Sequence, residues 1–279
     1  MKAFIKITAL FLLQFSVVYA NGGQPPPPPL FVSTEITGPP LQAPLFFADT
    51  NSVTFFTQVS FYTPSSLDGK ISVEGTRAVS SPDQNGKNFE WKLPTAAFNG
   101  GIALKIWKSF ELFFTLKLDN RENELSLSGS DMGMSFLISS TNDLRVRLDF
   151  GLSYKNLDAK TLLLDPYSYY NDTTYVTKTS TNKDMSPFVS LTMQYAAKDW
   201  IVNPYVQISY CRFPLFDIED SRGEIWSVIN IFSVTPGITY RLSDVVMLSA
   251  GGSYFIPSEM ENRSSQGIFS GFVQANFLF

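Results

Sequence analysis

The stretch Ile268-Phe269-Ser270-Gly271-Phe272-Val273-Gln274-Ala275-Asn276-Phe277-Leu278-Phe279 decides how this chain is read. Taken two residues at a time, Phe269, Gly271, Val273, Ala275, Phe277 and Phe279 share one face. Ser270, Phe272, Gln274, Asn276 and Leu278 share the other. A period of two with one apolar and one mixed face is a β-strand. In a water-soluble protein, a strand ending in Phe-Leu-Phe would leave a hydrophobic sheet edge open to aggregation. In a closed barrel the same strand pairs with the first one and no edge remains.

The positions Val273, Ala275, Phe277 and Phe279 resemble the terminal strand of the bacterial outer-membrane β-barrel proteins. The resemblance implies that these four form the signal read by the barrel-assembly machinery. It also implies an integral protein of the outer membrane of a Gram-negative bacterium, in contact with outer-membrane lipid. No subfamily is matched, so no functional residues carry over.

The other end of the chain agrees with export. Lys2 and Lys6 precede an apolar run, Ile7 to Val18, and Val18-Tyr19-Ala20 offers a small-residue cleavage site before Asn21. This is the pattern of a secretory signal peptide. The run is too short for a membrane-spanning helix. Removing Lys2 and Lys6 takes the formal net charge from −4 to −6, which argues against a nucleic-acid partner. The single cysteine, Cys211, rules out an internal disulfide and lies far from any lipoprotein processing site. Aromatic residues make up 15% of the chain, yet no run after residue 20 could cross a bilayer as a helix. A barrel, which spreads its apolar surface over alternate residues, accommodates both facts.

Residues 21–50 read as a Pro-rich N-terminal segment on the periplasmic side. The Pro25–Pro29 run favours extended polyproline II and cannot join a ladder, so a stiff tether is expected. From residue 51 to 279 the chain alternates between period-2 runs and polar interruptions. Val53, Phe55, Thr57, Val59 and Phe61 form one such row; Leu144, Val146, Leu148, Phe150, Leu152 and Tyr154 form another. Counting rows predicts about ten strands, with eight or twelve as the alternatives, in a single closed antiparallel all-β barrel. Ile71 to Val79 falls in the first long loop on this reading. Connections near residues 108, 141, 199 and 242 look short. Those at 119–130, 155–186, 212–227 and 256–267 look long. Short periplasmic turns and long extracellular loops are the outer-membrane pattern.

The faces opposite the apolar rows carry Lys105, Glu111, Lys117, Arg145, Arg147, Asp149, Gln194, Gln207, Gln274 and Asn276. Barrel geometry turns these ten inward. At this strand number the lumen is small and side chains can fill it. Both charge signs are present, so a paired network that plugs the barrel is the first expectation, because a buried charge without a partner is costly. A narrow pathway for small solutes or ions, lined by Lys105, Lys117, Arg145 and Arg147, with Arg145 and Arg147 favouring anions, is the alternative.

Catalysis is the weakest reading. The chain has no histidine, so the histidine-dependent mechanisms of outer-membrane hydrolases transfer to no residue here. No spacing points to a Ser–Lys or carboxylate dyad, and no catalytic residue, cofactor or metal is assigned. Asp217-Ile218-Glu219-Asp220 has oxygen ligands suited to Ca²⁺ but lacks the spacing and glycine of a dedicated loop. Tyr167, Tyr169, Tyr170 and Tyr175, set among Ser, Asn and Thr, have the composition of an adaptable binding surface for an extracellular ligand. The expected protein is therefore a barrel with a structural, adhesive or surface-binding role. A channel is the alternative, and a membrane-embedded hydrolase comes last.

Overall fold

The computed structural model describes residues 30–37, 52–63, 66–71, 87–121, 124–140, 143–164, 175–195, 200–220, 223–257, 260–261 and 267–279. Every regular element among them is a β-strand. In chain order they are β1 (Leu30–Thr37), β2 (Val53–Thr63), β3 (Ser66–Ile71), β4 (Lys87–Lys92), β5 (Ala96–Trp107), β6 (Phe110–Arg121) and β7 (Glu124–Ser140). They continue as β8 (Leu144–Leu164), β9 (Tyr175–Tyr195), β10 (Val202–Asp220), β11 (Gly223–Arg241), β12 (Val246–Pro257), β13 (Met260–Glu261) and β14 (Ile268–Leu278).

Ten of these strands close on themselves in the order β2-β5-β6-β7-β8-β9-β10-β11-β12-β14, each antiparallel to its neighbours. The first and last strands of the wall, β2 and β14, make the seam. β14 pairs with β2 from Phe269–Thr63 to Leu278–Thr54. Beyond the last rung, Val53 N donates to Phe279 O at 3.0 Å and Phe279 N donates to Val53 O at 2.8 Å. Closure gives every wall strand a partner on both edges over the level of the apolar belt, which is what a sheet needs to survive in lipid.

The distribution of side chains is inside-out relative to a water-soluble protein. Phe55, Phe98, Leu112, Phe114, Leu116, Val189, Ile208, Phe232, Ile238 and Val273 are exposed, while serines, threonines, glutamines and charged residues are buried. Phe110, Phe136 and Phe150 pack side by side across β6, β7 and β8, with centroids 5.0 and 5.6 Å apart. At the short-turn end Trp107, Trp200, Tyr195, Tyr240 and Phe279 stand outward as an interfacial belt. On β9 the apolar outward row ends at Met185, and Lys183, Thr181 and Thr179 follow it.

Close approach of the wall strands rests on glycine at selected points. A Cβ on Gly133 would meet the Phe113 ring at 2.6 Å, and one on Gly237 would meet the Tyr205 ring at 2.6 Å. Each glycine lets an inward aromatic ring from the neighbouring strand lie flat against the wall.

Three expectations change. The stretches 119–130, 155–186 and 212–227 are strand over most of their length rather than loop. β6 runs on to Arg121 and β7 resumes at Glu124; β10 runs on to Asp220 and β11 resumes at Gly223. Past the apolar belt neither face needs to be hydrophobic, so the period-2 signal fades while the backbone ladder continues. The Pro-rich segment expected at 21–50 contains a strand, β1. It pairs antiparallel with β8 from Leu30–Leu164 to Thr37–Asp158. Ile71 is not loop but the last residue of β3, which pairs with β4; residues 72–79 lie outside the described residues.

β1 extends the wall sideways. Above Lys155, β7 has left β8 for β6 alone, and β1 takes the vacated edge. β4 then pairs with β1 in parallel, β3 with β4, and β13 with β3. An exposed ion pair, Lys92 to Glu35 at 2.8 Å, ties β4 to β1.

Candidate functional site: the lumen and its charge network

Every second residue of β6, β7, β8 and β9 points into the barrel, and on these strands the inward positions are rich in charge. The structure gathers them into two connected groups.

The first group centres on Arg147, which is 4% exposed. Its Nε donates to Asp149 Oδ1 at 2.6 Å, its Nη1 stands 3.1 Å from Glu111 Oε2, and its Nη2 donates to Ser135 Oγ. Asp149 in turn accepts from Ser190 Oγ at 3.0 Å. Gln207 Nε2 donates to Ser190 Oγ at 3.3 Å and to Thr192 Oγ1 at 3.2 Å. One guanidinium thus faces two carboxylates, Ser135 accepts from it, and Ser190 donates to Asp149. This is the arrangement a desolvated charge requires.

The second group centres on Asp131, which is 1% exposed. Lys117 Nζ forms an ion pair with Asp131 Oδ2 at 2.8 Å. Thr115 Oγ1 donates to Oδ2 at 3.1 Å and Ser153 Oγ donates to Oδ1. One rung further out, Lys155 Nζ donates to Ser186 Oγ and to the carbonyl of Arg212 at 2.6 Å.

Amides and hydroxyls line much of the remaining inward face. Asn99 Nδ2 donates to Gln58 Oε1 at 3.3 Å. Gln274 Nε2 donates to Asn276 Oδ1 at 2.6 Å, and Asn276 Nδ2 donates to Ser249 Oγ at 3.2 Å. Gln194 Nε2 donates to Thr239 Oγ1 at 3.0 Å. Tyr205, Met247, Phe272 and Leu278 cluster beside these amides. Towards the far end Ala97, Leu157, Ala159, Ile231, Phe255 and Ile268 are buried, so apolar packing flanks the charge network on both sides.

Of the ten lumen positions read from the sequence, Lys117, Arg147, Asp149, Gln194, Gln207, Gln274 and Asn276 are buried. Glu111 is partly buried against Arg147. Lys105 is half-buried near the inner mouth, opposite Glu111 in register, and Arg145 is half-buried at the start of β8. Sequence reasoning missed Asp119, Asp131 and Lys155, all buried. The signal was present. Asp131 alternates with Met132 and Met134, and Lys155 continues the row of Arg145, Arg147 and Asp149.

The loop candidates fare differently. Tyr167, Tyr169 and Tyr170 lie outside the described residues, and Tyr175 opens β9. Asp217, Glu219 and Asp220 fall on β10 rather than on a loop. The four assembly-signal positions lie at the seam: Val273 and Phe277 are exposed on β14, Ala275 is half-buried, and Phe279 packs edge-on against Phe55 at 5.9 Å.

No protein-family model matches this chain, and no curated protein matches its sequence. Solved structures do match in fold. The outer-membrane protease OmpT from Escherichia coli is 12% identical, with 85% of this chain and 99% of that chain covered at a TM-score of 0.45. The translocator domain of the autotransporter NalP from Neisseria meningitidis is 11% identical, with 83% and 90% covered at 0.42. A Pseudomonas aeruginosa FadL homologue is 9% identical, with 82% and 90% covered at 0.39. All three are bacterial outer-membrane barrels, at identities that carry no residue of the site across to this chain.

Proposed function

We propose that this chain, with the fold of the bacterial outer-membrane barrels, is an integral outer-membrane protein whose lumen is closed by its own side chains. Its role is then structural, adhesive or ligand-binding, carried at the long-connection end. In this reading the short turns face the periplasm, Val273, Ala275, Phe277 and Phe279 engage the barrel-assembly machinery, and residues 1–20 are removed on export. Tyr167, Tyr169 and Tyr170, with Tyr175 at the first residue of β9, are the candidates for contact with an extracellular ligand.

The observation that carries the closed lumen is the pairing at its centre. Arg147 is held by Glu111 and Asp149, and Lys117 by Asp131, with almost no exposure to solvent. A conducting pore presents its charges to water and to passing ions. Here they are spent on one another, as structural networks require.

The test is single-channel conductance of the refolded, signal-free protein in a planar bilayer. Its folded state is first verified by heat-modifiable migration on a gel. A closed barrel gives no discrete steps. Reproducible steps would overturn the closed lumen and favour an anion pathway, with Lys105, Lys117, Arg145 and Arg147 as the residues to neutralise.

A further inference from the structure

The ladder between β9 and β10 stops before its strands do. Its last rung on the side away from the short turns is Cys211–Phe188. Both strands go on from there. β9 stays paired with β8 out to Tyr175–Leu164, and β10 with β11 out to Asp220–Gly223. Past Cys211–Phe188 the two hairpins are therefore the lips of a split in the wall. Among the described residues no other strand pairs with either lip.

The split is written in the sequence. Carried past Cys211–Phe188, the same register sets Arg212 opposite Pro187 and Pro214 opposite Met185. Proline has no N–H, so neither rung could form both of its bonds. In particular, Pro187 has nothing to donate to the Arg212 carbonyl. The split also begins at the upper edge of the apolar belt. On the outer face Val189 and Ile208 are exposed below it, and Met185, the last apolar outward residue of β9, is exposed above. On the inner face Phe188 and Cys211 are buried, with the Phe188 ring 6.1 Å from that of Phe113. A carbonyl left without a donor at this depth is costly.

Lys155 supplies the donor that Pro187 lacks. It stands on β8 and reaches across β9. Its Nζ donates to Ser186 Oγ on β9 and, at 2.6 Å, to the Arg212 carbonyl on β10. One buried ammonium thus holds both lips at the point where the backbone ladder gives out.

We propose that the β9–β10 ladder is where the barrel wall opens sideways, and that Lys155 is the latch that keeps it shut. A ladder frays from its unbonded end, and here that end is tied by the ammonium. With the tie broken, the rungs part in order from Cys211–Phe188 towards Tyr205–Gln194. The lumen then gains a lateral opening at the outer edge of the lipid belt. The proposal holds whether or not the lumen conducts.

The experiment is hydrogen exchange, read by mass spectrometry, on the folded protein in lipid vesicles. Peptides covering 188–194 on β9 and 205–211 on β10 report the ladder in question. Peptides from β5 and β6 report the remote wall. Lys155→Met should raise exchange in the first set by about tenfold, the scale set by losing a hydrogen bond from a charged donor, and leave the second set unchanged. An equal rise in both sets would make Lys155 a general support and overturn the proposal, as would no rise in the first. A cross-link then tests the latch directly. Phe188→Cys places a second thiol opposite the native Cys211, and residues directly opposite on antiparallel strands lie within disulfide reach. Added to Lys155→Met, the oxidised pair should slow exchange in 188–194 and 205–211 relative to its reduced form, again without effect on β5 and β6. The same comparison with Lys155 intact keeps the test decisive should Lys155→Met fail to fold. Oxidised and reduced forms that exchange alike would overturn the proposal in either background.

Discussion

Lys117 Nζ stands 2.8 Å from Asp131 Oδ2 inside the barrel, with both side chains withdrawn from water. Removing one partner leaves the other charge buried and uncompensated, which costs about 3–5 kcal/mol. Asp131→Ala should therefore lower the urea midpoint of the refolded protein sharply, followed by tryptophan fluorescence in lipid vesicles. The double variant Lys117→Met with Asp131→Leu should recover most of that loss. A single variant as stable as the parent would mean that water reaches this pair and the lumen is open.

Arg147 bridges Glu111 and Asp149, so its removal leaves two carboxylates near each other on the same wall, either side of Ser135. Arg147→Met should destabilise the barrel more than Arg145→Met, because Arg145 is half-exposed near the inner mouth. Neither variant should produce ion conductance at native temperature. A selectivity change with unaltered stability would instead assign Arg147 to a pathway.

Gly237 and Gly271 make a controlled pair. A Cβ on Gly237 would press on the Tyr205 ring and on the carbonyl of Ala250 at 2.6 Å, whereas one on Gly271 meets nothing within 4 Å. Overpacking of this kind costs about 1–3 kcal/mol. Gly237→Ala should lower the unfolding midpoint by a corresponding amount, and Gly271→Ala should leave it unchanged. Equal effects would show that the wall relaxes around the added methyl.

Phe279 closes the seam with two backbone hydrogen bonds to Val53 and an edge-on contact with Phe55. Its deletion removes both the last rung and the terminal aromatic. The yield of heat-modifiable protein in cells should fall, while the purified variant still refolds in detergent with a modest loss of stability. Unchanged assembly in cells would remove Phe279 from the assembly signal.

The hydrogen bond that Lys92 donates to Glu35, with the carboxylate charge adding to the effect, holds the Lys92 ammonium above the ordinary lysine range. A raised folded-state pKa gives stability that is fully present below the ordinary lysine value and is lost as the pH rises through the raised one. The pair is solvent-exposed, so it is worth at most about 1 kcal/mol. Glu35→Gln should thus lower stability only slightly at neutral pH, and the difference from wild type should vanish in strongly alkaline buffer. A difference that persists there would mean that Glu35 acts through packing rather than charge.

The apolar rows on β2, β8 and β14 are local: alternate residues must meet lipid, so their identity announces both the strand and the face it presents. Closure into ten strands, the inward turn of Lys117, Arg147, Asp149 and Gln274, and the positions of the short turns follow from that alternation. Beyond the closure of the terminal strand on the first, sequence alone could not supply the side-chain contacts between residues distant along the chain. Nothing in Asp131 or Lys117 names the other as partner; β6–β7 register brings them together. The strand extensions past Lys155 and Arg212 carry no hydrophobic period, because outside lipid neither face has to be apolar. β1 is the clearest case. Its pairing with β8 exists only because β7 leaves that edge open, a circumstance of the assembled wall that Leu30–Thr37 does not encode by itself.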